Sequence, residues 1–283
     1  MSGSLIVAGY TLREALRRRV LTVVVVLTAL FGALYAFACT ELFHHVSGFN
    51  FNRGIDERTL GGSTILGLSM FGALFLGTVL AVFLTASAVR GDGERGLLAP
   101  VVVRPLSRGS YLGGRLLAAA SVAAAYVVIT YLLAVLCTGV IGHWWPSAIA
   151  GSALRLGLAA VVVTALTLLG SVFFTATANG IVVLMLYGFG ILAGLLGEIG
   201  DVLPSATLQK IANIASWALP FEALYRDALR LLVGGVPGIA GAIVRLGPLG
   251  GSHGAGPLLI PWTIGYIVVV VLVACWAFAR RDL

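Results

Sequence analysis

Long apolar stretches recur six times along the 283 residues, and they restrict the fold more than any other feature. A helix rises about 1.5 Å per residue and needs roughly 20 apolar residues to cross about 30 Å of hydrocarbon. Only 10% of the residues are charged and 59% are hydrophobic, which is too little polar surface for a water-soluble protein. The sequence therefore predicts an all-α polytopic membrane protein with six transmembrane helices. We place these spans at about 20–40, 63–89, 116–141, 152–175, 180–197 and 258–279.

The arginines are distributed unevenly around these spans. The formal net charge of +7 falls entirely on the side that carries both termini and the loop between spans two and three. Basic residues in short loops are retained on the cytoplasmic side of a membrane. We therefore predict a multi-pass protein of the cell's inner (cytoplasmic) membrane with both termini in the cytoplasm. The basic balance reflects topology and attraction to anionic lipid headgroups, so nucleic acid is not a predicted partner.

The N-terminal segment 4–19 has the pattern of an interfacial elbow helix. Leu5, Leu12 and Leu16 fall on one apolar stripe, and the charged residues lie largely on other faces. Its arginines can reach lipid phosphates and anchor the segment. The predicted anchor residues are Arg13, Arg17, Arg18 and Arg19. The apolar run that follows is too long for a cleaved signal peptide.

Two segments are predicted on the external side. Residues 41–62 contain no apolar run and are predicted to form a loop. Residues 198–257 are predicted to form a longer external loop that contains an amphipathic helix after Pro220. Its apolar side recurs at helical spacing, so we expect it to lie on or dip into the outer leaflet. This apolar side consists of Phe221, Leu224, Tyr225, Ala228, Leu229 and Leu232, and Glu222, Arg226 and Arg230 repeat on another face.

Two further patterns concern packing within the spans. Arg155 lies near the outer end of span four, where an arginine can extend outward to the interface. Gly190 and Gly194 form a small-xxx-small pattern that lets another helix approach closely. The sequence does not specify which helix this is.

Signs of catalysis are weak in this chain. A phosphate-binding loop GxxxxGK[ST] requires a lysine, and Lys210 has none of the other parts of that motif around it. No Asp, Glu, Lys or His falls in the middle of a predicted span, which argues against a self-sufficient ion-coupled transporter. The external histidines match no metal-binding motif, so we predict neither a catalytic nor a metal site. These histidines are His44, His45, His143 and His253.

The loop between spans two and three consists of short segments that differ in character. An acidic turn at Asp92 and Glu94 precedes an apolar stretch with Leu97 and Leu98, and a Pro-x-Ser-Arg sequence ends at Arg108. A short helix here presents an apolar patch to the cytosol, and such patches usually bind a protein partner.

This loop resembles the first cytoplasmic loop of type-2 (ABC-2 type) ABC transporter permeases. That loop runs acidic-x-Glu-x-Gly-Thr-Leu, then Leu-Leu, Pro-x-Ser-Arg and Leu-x-Gly-Lys. Here Leu97 replaces the threonine, Arg115 replaces the lysine, and Pro100 interrupts the expected coupling helix at 92–105. The resemblance implies that these residues contact an ATPase. The implied coupling residues are Asp92, Glu94, Gly96, Leu97, Leu98, Val101, Arg104, Pro105 and Arg108.

The resemblance extends over nearly the whole chain, which we interpret as a single permease domain, 1–283. Tyr10–Arg19 is similar to the family's N-terminal helix, and Trp217–Tyr225 to the segment before its sixth span. The six spans are most similar to the group that includes nitrous-oxide-reductase maturation permeases. The resemblance implies an exporter with two ABC ATP-binding subunits, which carry ATP and Mg, and a second permease copy or a paralogue. A self-sufficient secondary transporter and a membrane scaffold or assembly factor are the alternatives.

Overall fold

The computed structural model describes residues 9, 11, 19–46, 57–86, 88, 108–146, 148–233 and 256–280. Six helices in this part of the chain are long and apolar enough to cross a membrane, and no strand occurs there, which confirms the predicted fold class. Two shorter helices lie between the fifth and sixth spans. The eight helices are α1 (Arg19–Val46), α2 (Glu57–Thr85), α3 (Arg108–Gly142), α4 (Ile149–Phe173), α5 (Ala176–Val202), α6 (Ala206–Ala218), α7 (Pro220–Val233) and α8 (Leu259–Ala279).

Helix α4 is the centre of the bundle and packs against α2, α3, α5, α7 and α8. Many of its buried side chains are small, such as Ala159 and Ala160, which lets neighbouring helices approach closely. Two of its threonine hydroxyl groups bond within the helix. Thr164 and Thr167 donate to carbonyls one turn earlier, at 2.7 and 2.8 Å. The polar groups of α4 are therefore satisfied where no water is present.

Helices α1 and α8 lie at the outside of the bundle. α1 packs against α2 and α3, and α8 packs mainly against α4. Both helices expose large apolar side chains, such as Val26 on α1 and Leu272 on α8. Lipid tails solvate such side chains as well as a protein core does. The exposed faces are therefore suited to a lipid environment.

The external loop predicted at 41–62 is wrong at both ends. Helix α1 continues through Glu41 and His44 to Val46, and α2 begins at Glu57, so Arg58 lies in its first turn. Similarly, α3 begins at Arg108, eight residues before the predicted span. Hydrophobicity marks the part of a helix that lies in hydrocarbon, but the backbone hydrogen bonds continue beyond it wherever the local sequence tolerates a helix.

The region between spans five and six contains two helices. The predicted amphipathic helix exists as α7, and its neighbours are other helices rather than lipid. Phe221, Leu224 and Ala228 are buried, and α7 packs against α4, α2, α6, α8 and α5. Helix α6 was not predicted, because its apolar pattern is weak and only Ala212 and Ala215 are buried. The rest of the predicted loop, residues 234–255, lies outside the described residues.

Candidate functional site

Most of the predicted site residues lie outside the described part of the chain. This applies to Asp92, Glu94, Gly96, Leu97, Leu98, Val101, Arg104 and Pro105, and to Arg13, Arg17 and Arg18. Arg108 is the first residue of α3, and Arg19 is the first residue of α1. The structure does describe the two helix ends between which the segment 89–107 runs. We call these helix ends, residues 85, 86, 88 and 108–115, the loop stem.

A buried hydrogen bond ties the two sides of the loop stem together. The Tyr111 hydroxyl in the first turn of α3 donates to the carbonyl oxygen of Ala88 after α2, at 3.0 Å. Arg115 Nη1 donates to the same hydroxyl at 3.3 Å, and the Phe278 ring of α8 lies 6.4 Å from the Tyr111 ring. The ends of α2 and α3 are therefore held together, with the end of α8 packed beside them.

Asn179 extends this connection to α4 and α5. Its Nδ2 donates to the Thr167 carbonyl on α4 at 2.8 Å and lies 3.5 Å from the Ala86 carbonyl at the loop stem. Gly170 makes room for this amide, because a Cβ there would lie 2.1 Å from Asn179 Oδ1. One buried side chain thus joins the start of α5, the end of α4 and the end of α2.

At the other end of the bundle, polar contacts join α7 to α4. Asp227 on α7 forms an ion pair with Arg155 on α4 and a second one with Arg230 Nη2, at 2.9 Å. The Ser152 hydroxyl on α4 donates to the Ala228 carbonyl at 2.9 Å. The prediction that Arg155 extends outward is therefore wrong. Charge pairing with Asp227, 72 residues further along the chain, holds the side chain inside the protein.

The face of α7 toward α5 combines charges with glycines. Arg226 Nε lies 2.6 Å from Glu222 Oε1, and both side chains are buried. Gly190 and Gly194 of α5 provide the space for this face, because a Cβ at Gly194 would lie 2.2 Å from Glu222 Oε1. The small-xxx-small pattern thus has a partner, which is α7. Buried Glu198, near the end of α5, adds a second carboxyl group.

One comparison with known proteins decides the family. The family model described as "ABC-2 family transporter protein" matches residues 5–283, which is nearly the whole chain. The chain belongs to the ABC-2 transporter family. It is therefore a multi-pass membrane permease of ABC transporters, a class of membrane subunit that has no ATPase site of its own. No curated protein matches the chain.

Charge and burial oppose each other at Glu222 of this ABC-2 permease. Burial raises the pKa of the Glu222 carboxyl group. The positive charge of Arg226 lowers this pKa, and the negative charge of Glu198 raises it, so that the result is about 7. Burial also raises the pKa of Tyr225, with additional effects from Tyr187 and Glu222. Glu222 therefore changes its protonation state close to neutral pH.

Sequence reasoning found only part of this cluster. It placed Glu222, Arg226 and Arg230 on one polar face of a surface helix, and it assigned no role to Asp227 or Glu198. Two signals were available. The glycine pair of α5 indicated a closely packed helix, and α7 carries four charged residues within nine positions, which is unusual beside apolar spans.

Proposed function

We propose that this ABC-2 permease is the transmembrane subunit of an ATP-driven exporter. Two ATP-binding subunits hydrolyse ATP with Mg, and a second permease copy or a paralogue completes the path. Family membership supports this proposal, because ABC-2 permeases generally work with ABC ATP-binding subunits. In this proposal both termini and the segment 89–107 face the cytoplasm of the inner membrane, where the arginines concentrate.

The tied loop stem is the observation that favours the segment 92–105 as the coupling element. A segment can transmit movement only if its ends are connected to the elements that must move. Tyr111 and Ala88 join the ends of α3 and α2 through a buried hydrogen bond. A displacement of the segment by the ATPase therefore acts on both helices together.

The same stem reaches the rest of the bundle. Asn179 links the end of α2 to α4 and to the start of α5. Helix α4 in turn holds α7 through Arg155 and Ser152. In the proposed mechanism, closure of the ATPases moves the segment 92–105, and the movement passes through α2 and α3 to α4. The path then opens at the external side of the bundle, where α7 lies.

The coupling proposal is tested by Leu98→Asp. In the proposal, Leu98 lies in the apolar contact with the ATPase. Burying a leucine at such a contact contributes about 1.5 to 3 kcal/mol, and a buried unpaired carboxylate adds a desolvation cost. We therefore expect affinity for the ATPase to fall by roughly a hundredfold or more, since about 1.4 kcal/mol is a factor of ten. The measurement is ATPase copurification with the detergent-extracted permease.

The matched control is Leu203→Asp. Leu203 is exposed in the turn between α5 and α6, so the same change of chemistry there should leave ATPase binding unchanged. Normal copurification and transport by Leu98→Asp would contradict the coupling assignment. Aggregation of Leu98→Asp would place Leu98 in the membrane core and would equally rule out the assignment.

A further inference from the structure

The contact between α5 and α7 holds ionisable groups that the coupling mechanism does not use. Glu198 is 8% exposed, Glu222 is 4% exposed and Arg226 is 8% exposed. Buried carboxylates are costly unless a counter-charge compensates them. Here the Glu222 carboxyl group is paired with the Arg226 guanidinium group, and the negative charge of Glu198 acts on it in the opposite sense.

Glycines bring these groups against the backbone of α5. A Cβ at Gly194 would lie 2.2 Å from Glu222 Oε1 and 3.7 Å from Arg226 Cδ. A Cβ at Gly197 would lie 3.7 Å from Arg226 Nη1. The carboxyl and guanidinium groups of α7 therefore rest on the glycine face of α5, and Glu198 follows Gly197 directly in the chain.

Two tyrosine hydroxyls provide a second, independent observation. Tyr187 on α5 and Tyr225 on α7 are 4% and 5% exposed, and their hydroxyls have no hydrogen-bond partner among the described residues. Tyr225 is close enough to Glu222 for the negative charge of that carboxyl group to raise the pKa of the Tyr225 hydroxyl further. Buried polar groups normally have hydrogen-bond partners, so these two hydroxyls mark a place where the packing of α5 against α7 leaves polar groups unsatisfied.

We propose that Glu198, Glu222 and Arg226 form a proton-binding site between α5 and α7, in which Glu222 takes up the proton. With that proton bound, Glu222 no longer repels Glu198. Without it, the carboxylates of Glu222 and Glu198 repel each other between the two helices. The contact between α5 and α7 is therefore tighter when the proton is bound.

Charged groups also lie on the other elements that pack against α7. The charges that act on Glu222 belong to Arg226 and Glu198. Arg155 of α4 is paired with Asp227. The cations described on the remaining neighbouring helices are exposed: Arg58 of α2, Lys210 of α6 and Arg280 of α8.

The stability consequence has a definite sign. The pKa of Glu222 is raised from 4.5 to about 7 in the folded protein, so between these values the folded state holds a proton that the unfolded state has lost. The contribution of Glu222 to stability is fully present below pH 4.5 and is lost as the pH rises through about 7.

Infrared difference spectroscopy tests the site directly. The sample is the full-length permease in lipid nanodiscs, titrated across neutral pH without any ATPase subunit. We expect the C=O band of a protonated carboxyl group to disappear with a midpoint near pH 7. Glu222→Gln should abolish that band, and Glu41→Gln, which removes an exposed carboxyl group of α1, should leave it unchanged. The same titration in Glu222→Gln, or a wild-type midpoint near 4.5, would overturn the proposal.

A second variant tests the site even if Glu222→Gln does not fold. Glu198→Gln removes a negative charge from beside Glu222, so the midpoint of the band should shift to lower pH. An unchanged midpoint would show that Glu198 does not share the site and would refute the proposal. Because ATPase docking plays no part in these measurements, a failed coupling assignment leaves their outcome unaffected.

Discussion

The two faces of α7 differ in how their charges are compensated. Toward α4, Asp227 is paired with two arginines, and Ser152 bonds to the backbone of α7. Toward α5, Glu222 has Arg226 as its counter-charge, with the second carboxyl group of Glu198 nearby and a surface of glycines opposite. The first face is therefore a fixed attachment. The second is a smooth contact whose strength depends on one proton.

The fixed face should show the largest effect of mutation. Asp227→Ala leaves the partly buried Arg155 without its counter-charge, and removing the buried partner of such a pair costs about 3 kcal/mol. We expect this loss in the free energy of unfolding, measured by tryptophan fluorescence in mixed micelles titrated with SDS. The control is Arg230→Ala. The side chain of Arg230 is 47% exposed, so solvent screens its pairing and the loss should stay below about 1 kcal/mol. Equal losses for both variants would remove the distinction between the two faces.

A smaller effect is expected on the α5 face. Gly194→Ala places a Cβ 2.2 Å from Glu222 Oε1, so the carboxyl group that pairs with Arg226 must shift. Overpacking of this kind costs about 1 to 3 kcal/mol in the same unfolding assay. The control is Gly188→Ala on the same helix, where a Cβ has open space. Alanine is the better helix former by up to about 1 kcal/mol, so Gly188→Ala should not destabilise the protein. The same response from both variants would refute the close contact.

Sequence patterns predicted the spans well, because the length and hydrophobicity of a helix determine whether it can cross a membrane. The spacing of Phe221, Leu224 and Ala228 also predicted α7 as a helix. It did not determine where α7 lies, because an apolar face packs equally well against lipid and against other helices. Its burial depends on contacts distant in sequence, above all the pairing of Arg155 with Asp227.

The candidate functional residues also fall into a group that the sequence predicted and a group that it did not. The coupling residues between Asp92 and Pro105 follow a continuous motif, so the sequence was enough to predict them, and they stay a prediction. The α5–α7 cluster has no local motif. Glu198 and Glu222 are 24 positions apart in the sequence, and only the glycine face of α5 brings them together. The glycine pair Gly190 and Gly194 predicted a close contact, but a pattern of small residues carries no information about its partner.

Hydrogen–deuterium exchange at one fixed pH tests most directly whether the two faces of α7 differ as described. At a pH of about 8, wild-type Glu222 is largely ionised, since its pKa is about 7, whereas Glu222→Gln stays neutral. Glu222→Gln should therefore slow exchange in residues 187–200 of α5 and leave residues 149–160 of α4 unchanged. An equal change in both segments, or no change in α5, would contradict the account.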